Sequence, residues 1–415
     1  MANETFKLGA TKWAYKEGSL LAYNDVNNNF KPLPFTFTRA STATRVNENG
    51  LIEVVKSGIP RIDYTDNPSG HLLLEPARTN LVTYSEDFSN AAWTKSASIS
   101  LTPLQSSPDG DTNAYKITAT SPSNTHSINF NYNISSTGDY TASLFLKYSD
   151  AQWIQIYYGS TAFLGGHANF DVQNGAIGTV ASGVIAKIEP YSNGWYKCSI
   201  TKEATSTGST STCASIPVSS GTANRFGSEV SGSYYMYGAQ LEAGSYATSY
   251  IPTNGTTVTR AAETCTGAGN AQVFNDSEGV LFANVAALAN DGTTKDIKLL
   301  SVAANFVALR FTSSTNQLQN YIFDGAIAYS QFTTADDLTA FNKIALKYKA
   351  SDFATFLNGN KSSSSSSGDG NISSLSLTSL NFDSGAGGNY FYGKIKQIGV
   401  YDTALTDEEL ETLTT

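Results

Sequence analysis

Histidine, cysteine and methionine are scarce in this chain, and so is charge. Three histidines and three cysteines in 415 residues leave little material for metal or nucleophilic chemistry. There is no GxSxG, HExxH, P-loop or CxxC pattern. His71, His126 and His167 lie far apart; His71 reads as solvated or hydrogen-bonded, and His167, after Gly165-Gly166, as a partly exposed residue near a rim. Cys198, Cys213 and Cys265 lack metal-ligand spacing. Cys198 reads as a buried thiol, with a Cys198–Cys213 bridge across a hairpin as the alternative. No apolar run approaches the ~20 residues needed to span a bilayer, and the first residues show no signal-peptide core, so a soluble protein without membrane insertion is expected. A formal net charge of −9 and no Lys/Arg cluster argue against a nucleic-acid partner.

Gly, Ser, Thr, Asn and Tyr are plentiful instead, the balance of many short strands joined by tight turns. Helix formers are scarce before the last dozen residues. The length supports two or three cores. The expected fold is all-β: two antiparallel β-sandwiches in series after an extended N-terminal arm, with a short C-terminal helix. The expected divisions are 1–83 (arm and linker), 84–261 (first sandwich, of jelly-roll type) and 262–415 (second sandwich).

The stretch Ser69 to Lys95 organises the chain. Leu72, Leu73 and Leu74 form a short apolar run closed by Glu75-Pro76, since proline cannot donate to a ladder. Arg78, Thr79 and Asn80 make a polar crossing, and Phe88 and Trp93 are the first aromatic anchors of the first sandwich. Upstream, Phe35 and Phe37 alternate with threonines as in a half-buried strand, and Asn49-Gly50 signals a hairpin. This is too little apolar surface for an independent core, so 1–83 reads as an arm packing on other subunits, or else as a flexible tail. From Tyr140 to Tyr148, Trp153 to Tyr158, His167 to Val180 and Asn193 to Thr201, alternating segments recur with turn residues between them, as in a sandwich. In the last part Asn358-Gly359-Asn360 is a tight turn, and residues 361–371 are a low-complexity loop expected to be mobile. Thr406 with Glu409 forms a capping box that starts the helix, with Leu410 and Leu413 facing the sandwich.

LLLEPARTNL followed by YSEDFSNAAWTK resembles a segment of tailed-bacteriophage structural proteins, in tail fibres and virion surface fibres. FTRASTATRVNENGLIEVV with GIPRIDY, and YGAQLEAGSYATSYIPT with VTRAAE, resemble the rest of that family's frame. FDVQNGAIG and NGWYKCSI are similar to carbohydrate-binding jelly-roll modules. NKIALKYK, FLNGN and YGKIKQIGVYDTALTDEEL are similar to the laminin-G or concanavalin A-like sandwiches of lectins and phage adhesins. The resemblance implies a virion protein, a tail fibre, head fibre or decoration, located on the particle surface. It implies a homo-oligomer, most simply a trimer, anchored to other virion proteins by the N-terminal arm and binding host cell-surface polysaccharide. The alternatives are a virion-borne polysaccharide depolymerase and a purely structural decoration protein.

A glycosidase needs two carboxylates flanking the sugar, and the ExDxxE spacing often seen in concanavalin-like sandwiches is missing. Asp336-Asp337 and Asp407-Glu408-Glu409 read as solvated, so no catalytic residue and no enzyme is expected. Sugar binding needs only flat rings beside amides and carboxylates. Trp153, Tyr157 and Tyr158, around Gln152 and Gln155, are candidates in the first sandwich. Tyr234, Tyr235 and Tyr237 place rings on both faces of one strand, and Tyr235 is the candidate among them. In the second sandwich Tyr321, Asp324, Tyr329, Asn358 and Tyr390 are candidates at strand ends or loops. Trp93 and Trp195 read as core. The resembled modules often hold a structural Ca2+; Asp87, Glu242, Asp291 and Asp324 are conceivable ligands, although no loop shows an EF-hand-like series.

Overall fold

In the computed structural model the described residues are 3–24, 31–65, 67–120, 126–160, 162–224, 228–302, 304–363 and 366–415. Their regular structure is almost all strand, arranged in antiparallel sheets, with a short α-helix at Asp407–Thr414. The chain divides into two compact units. Unit 1 comprises Met1–Thr42, Val55–Pro76 and Ala261–Thr415; unit 2 comprises Ala43–Val54 and Ala77–Arg260. Unit 2 is thus inserted into the chain of unit 1, where two bodies in series were expected.

The arm expected over residues 1–83 is instead sheet. Phe6–Gly9 pairs with Gly393–Tyr401, with Phe6 opposite Val400 and Leu8 opposite Ile398. Ser19–Asn24 and Lys31–Thr38 extend the same sheet, which continues on its other side through Glu278–Ala287 and Asn342–Lys349. The physical reason is the alternation itself. Phe6, Leu8, Leu20, Leu33, Phe35 and Phe37 are too few to enclose a core alone, but on one sheet face they complete another. They pack with Leu281, Ile344, Ile398 and Val400 against the second sheet of unit 1, whose core side carries Ile297, Leu299, Val307, Leu309 and Ile322.

His71–Leu74 enters this sheet at its Ile395 end, and all four residues are buried. His71 is therefore not solvated, and among the described residues neither ring nitrogen has a hydrogen-bond partner, Nε2 lying 3.7 Å from Asp63. Burial, aided by Lys394 and Lys396 and opposed by Asp63, lowers its pKa to about 4, so the ring is neutral. The Asn358–Asn360 turn and the helix cap form as expected. Thr406 Oγ1 accepts from the Glu409 N–H at 3.3 Å, and the Thr406 N–H donates to Glu409 Oε2 at 3.0 Å. Leu410 is buried among Val280, Phe282 and Phe356, with Leu413 beside it. Of the low-complexity stretch, residues 364 and 365 lie outside the described residues, and Ser366–Ser367 pairs with Ile327–Thr334.

Four charged side chains fasten unit 1 where its three chain segments meet. Arg39 Nη1 donates to Glu263 Oε1 at 2.7 Å, and Arg61 Nε donates to the same oxygen at 2.8 Å. Arg61 Nη2 also reaches Glu75 Oε2 at 2.8 Å, and the Glu75 N–H donates to Glu263 Oε2 at 2.9 Å. Arg39 directs its remaining donors to the carbonyls of Ser41, Lys56 and Ile59. All four side chains are shut off from solvent, and their formal charges cancel.

Unit 2 is a sandwich of two antiparallel sheets between which the chain crosses repeatedly. One runs Trp93–Lys95, Ile128–Ile134, Gly208–Val218, Trp153–Ser160, His167–Asp171, Ala176–Val180. The other runs Ile99–Gln105, Ala114–Ala119, Gly232–Ala243, Gly138–Tyr148, Trp195–Ala204, Val184–Pro190. Between them lie Trp93, Ile117, Leu144, Leu146, Ile154, Ile156, Ile200 and Met236. Cys198 is a free, buried thiol on the second sheet, so the Cys198–Cys213 bridge does not form. The Cys213 backbone belongs to the first sheet. Asn80 locks the entry to this unit. Its amide donates to the carbonyls of Ala239 and Ile251 and accepts from the N–H groups of Val82 and Leu241.

Removing one partner from the buried charge cluster strands the others. Glu263→Ala is expected to cost unit 1 about 3–5 kcal/mol, the usual penalty for breaking a buried ion pair. Urea denaturation followed by tyrosine and tryptophan fluorescence should show a lowered midpoint; an unchanged midpoint would mean that the cluster is dispensable.

Candidate functional site

The outer face of the second sheet of unit 2 carries a ladder of rings and cations. Across four neighbouring strands, Lys116 stands opposite Tyr235, Tyr235 opposite Lys147, and Lys147 opposite Trp195. One step along, Tyr237 stands opposite Phe145 and Phe145 opposite Lys197. In each strand these residues occupy the phase opposite to the core positions Ile117, Met236 and Leu146, so pleating alone sends them outward. A bulge between Ser143 and Phe145 shifts the register, and Gly238 takes a left-handed φ of 58° there. A Cβ on Gly238 would lie 2.9 Å from the Phe145 ring, so a larger residue would displace it.

The second row is covered. Phe145, Trp195, Tyr237 and Tyr250 pack with Ile52, and the Phe145 ring meets those of Tyr191, Tyr237 and Tyr250 at 5.0, 5.9 and 5.8 Å. Ile52 comes from the hairpin that Asn49-Gly50 signalled, formed by Ala43–Val46 and Ile52–Val55. Of the first row, Trp195 belongs to this covered cluster, while Lys116, Tyr235 and Lys147 stay partly exposed. The Tyr235 ring has Lys116 Nζ at 6.0 Å and Lys147 Nζ at 5.9 Å from its centre. Among the described residues neither lysine makes an ion pair.

Two hollows flank the end of the Ile99–Gln105 strand. The first, ≈ 390 Å3, is lined by Gln105, Ser106, Lys147, Tyr148, Ser149 and Tyr235. The second, ≈ 420 Å3, is walled by Glu86, Asp87, Asn113, Tyr115, Pro103 and Leu104, among others. The partition between them is a strained turn of chain. A register shift falls between Thr102 and Gln105, and Leu104, 75% exposed, has a φ of 59°. For a branched apolar residue both the conformation and the exposure are unfavourable, and such outliers gather at functional sites.

Behind the second hollow two carboxyl groups share one phenol. Tyr237 Oη is 2.8 Å from Asp109 Oδ2 and 3.1 Å from Glu86 Oε1, and Tyr250 Oη is 3.0 Å from the same Glu86 oxygen. Asn113 donates to both acids, at 3.2 and 3.1 Å, and among the described residues its own buried Oδ1 has no partner. Burial raises the Glu86 pKa, with Asp109 adding to it and the two phenols pulling back. Burial also pushes Asp109 up, but the Ser107 hydroxyl, the Asp111 N–H, Tyr237 and Asn113 outweigh it and leave Asp109 below the ordinary range.

The sequence-derived candidates fall elsewhere, with one exception. Tyr235 faces outward and is half-buried, one side against the Phe145 cluster. Trp153 and Tyr157 face out from the other sheet of unit 2, but pack on Ile216, Val218 and Ala223. Tyr158 is a correction: strand alternation turns it inward, where it is fully buried, stacks on Phe163 at 4.2 Å and donates to the Tyr140 carbonyl. In unit 1, Tyr321 sits mid-strand rather than at a strand end, edge-on to Phe306 at 5.0 Å and near Arg310. Tyr329 is likewise corrected: it is buried and stacked on Phe353 at 5.2 Å. Asn358 takes a left-handed φ of 48° and braces the strand at Asn342 and Lys343; Tyr390 stacks on Tyr392. These residues do not converge.

Nor do the conceivable calcium ligands. Asp87 accepts from Ser89 and Tyr115, and Asp291 from Thr293 and Lys295. Asp324 accepts from Asn305, Ser373 and Ser374. Glu242 is fully buried, taking hydrogen bonds from Gln240 and Thr248 beside Arg78. Among the described residues, no three His, Cys, Asp or Glu side chains gather in a metal-holding group. Also among them, no helix is long and apolar enough to cross a membrane. Glu86, Asp109, Lys116 and Lys147 are not legible as site residues in the sequence: their phases are readable, their cross-strand neighbours are not.

Fold and site together define a protein of antiparallel β-sandwich units, one of which bears an open, lysine-flanked aromatic face. No family model and no curated protein sequence matches the chain. Among solved structures it is similar to the Ruminococcus gnavus IT-sialidase CBM40 bound to alpha2,3 sialyllactose, at 17% identity and a TM-score of 0.30, over 36% of this chain and 94% of that one. It is also similar to the Trypanosoma rangeli sialidase in complex with sialic acid (10% identity, TM-score 0.29, 98% and 85% covered). A third is mouse laminin alpha1 chain, domains LG4-5 (9% identity, TM-score 0.23, 80% and 95% covered). At these TM-scores none of the likenesses decides a function, and the chain's own residues must carry it.

The Glu86 carboxyl makes pH a probe of the second hollow. Because its folded-state pKa is raised above the ordinary 4.5, its contribution to stability is full below that value and is lost as pH rises through the raised one. Asp109 acts in a different window, its stabilisation being lost only as pH falls below the ordinary 3.8. Glu86→Gln should therefore abolish a loss of stability of unit 2 that the wild type shows on going upward from pH 4.5. Melting temperatures across pH 4 to 8 check this; parallel profiles for the two proteins would refute it.

Proposed function

We propose that this protein is a glycan-binding protein and that the open face around Tyr235 holds the sugar. The observation that carries the reading is the Tyr235 ring, set outward between Lys116 and Lys147 at the edge of a hollow that also presents Tyr148 and Gln105. A pyranose lays its C–H face on such a ring and turns its hydroxyls to the amide and ammonium groups around it. A second reading is favoured by Glu86 and Asp109. Glu86, which lines the hollow, and Asp109, joined to it through Tyr237, are displaced in opposite directions, the way an acid is set apart from a base, and on that reading the protein also cleaves what it binds.

One assay addresses both. Calorimetric titration with capsular or lipopolysaccharide oligosaccharides should show Tyr235→Ala binding about tenfold weaker, the loss of one stacking contact of ~1.4 kcal/mol. Trp153→Ala should bind as the wild type does, and no reducing ends should accumulate. Steady release of reducing ends would establish the depolymerase instead, and undiminished binding by Tyr235→Ala would move the site elsewhere.

The biological setting we propose is the surface of a tailed-bacteriophage particle, as a tail fibre, head fibre or decoration protein assembled as a homo-oligomer, a trimer by the same resemblance. The support is the run LLLEPARTNL and its flanking phrases, together with the fit of weak, repeated sugar sites to fibre avidity. Residues 1–42 belong to the sandwich of unit 1, so attachment to the particle falls to another surface than an extended arm. Electron microscopy of particles labelled with antibody to residues 270–415 should show regularly placed label; unlabelled particles would end the virion reading.

A further inference from the structure

We propose that the two hollows read one saccharide by charge. The hollow at Tyr235 takes an acidic sugar residue, and the hollow at Glu86 takes an adjacent neutral or amino sugar that donates hydrogen bonds. The inference rests on the glycan-binding reading above and specifies its substrate class: a heteropolysaccharide in which an acidic sugar alternates with a non-acidic one.

Opposite charge on the two sides of one strand end is the first ground. On one side Lys116 and Lys147 flank the Tyr235 ring, and no carboxylate lines that hollow. An incoming carboxylate, sulfate or phosphate in that hollow would meet Lys147, with Lys116 on the other side of the ring. On the other side Glu86 and Asp87 line the hollow with Thr112, Thr253 and Asn254, and among the described residues no cation lines it. An anionic sugar there would face like charge, whereas hydroxyl, acetamido N–H or ammonium groups would find acceptors.

Proximity is the second ground. Leu104 lines the acidic hollow and Gln105, the next residue, lines the basic one. Neighbouring Cα atoms are ~3.8 Å apart, so the two hollows adjoin at this strand end and a single saccharide chain crossing the partition enters both. Leu104, held outward by its left-handed backbone, offers an apolar edge for the ring that crosses. The left-handed conformation, otherwise only a cost, thereby acquires a use.

The test uses the full-length protein and four oligosaccharide probes of matched length: a polyuronate, a chitosan oligomer, a neutral β-glucan and an alternating uronate–N-acetylhexosamine oligomer. The alternating probe is expected to bind at least about tenfold tighter than each of the others, the sum of two modest charge contacts. Lys116→Ala/Lys147→Ala should erase the preference for acidic probes while retaining neutral binding. Glu86→Gln/Asp87→Asn should instead raise the affinity for polyuronate toward that for the alternating probe. Thermal unfolding of each variant establishes that unit 2 is folded, and Lys147→Gln alone, a milder change, should shift the preference in the same direction. If the polyuronate binds as tightly as the alternating probe, or if the variants weaken all four probes equally, charge reading is wrong while sugar binding at Tyr235 stands. If no probe binds and Tyr235→Ala changes nothing, both readings fall.

Discussion

The buried quartet of Arg39, Arg61, Glu75 and Glu263 is the constraint on which unit 1 depends. Its members come from three chain segments separated by the whole of the inserted unit, and each satisfies a charge that would otherwise be stranded in a dry interior. Taking four charges out of water is costly, and their mutual attraction returns that cost only when every member is placed. The cluster thus acts less as a source of net stability than as a selector of one arrangement. With Glu75 engaged on one side of Pro76 and Asn80 stitched into unit 2 on the other, the run LLLEPARTNL acquires a physical account. Its glutamate, arginine and asparagine each fasten a different piece of backbone or charge.

Unit 2 applies the same logic to a surface. Its outer sheet face needs some cover for Phe145, Tyr237 and Trp195, and Ile52 and Tyr250 supply it. What remains open is one row, Lys116, Tyr235 and Lys147, with a hollow on either side of the strained chain at Leu104. Burial of the neighbouring aromatics fixes the Tyr235 backbone, so a ligand meeting that ring incurs little ordering cost. The opposing charges of the two hollows then bear on which ligand is accepted more than on how tightly.

Much of this is legible in the residues. Alternation and turn chemistry give the all-β fold, the hairpin at Asn49-Gly50 and the capping box at Thr406. The apolar alternation of Phe35 and Phe37 reads correctly as half-buried strand, and the small size of that surface also reads correctly. What fails is the step from too small for its own core to an arm, because the partner strand lies near residue 400 and no local pattern points to it. The site fails in the same way. Tyr235 can be placed outward by strand phase, but Lys116 and Lys147 flank it only through pairings set by tertiary structure. Tyr158 is misplaced by a single step of the pleat, whereas Glu86 and Asp109 converge through loops that carry no periodic signal.

The pairing of Phe6–Gly9 with Gly393–Tyr401 has a bearing on how the molecule comes into being. A sheet that pairs Phe6–Gly9 with Gly393–Tyr401 cannot close before that distant strand has been synthesised, and such distant pairings make for slow folding. Unit 2, whose residues lie between, is complete in synthesis long before. Until that distant strand is made, the apolar strands near residues 6–37 wait without their mate, a window in which a chaperone, or a neighbouring nascent copy, has the first opportunity to occupy them.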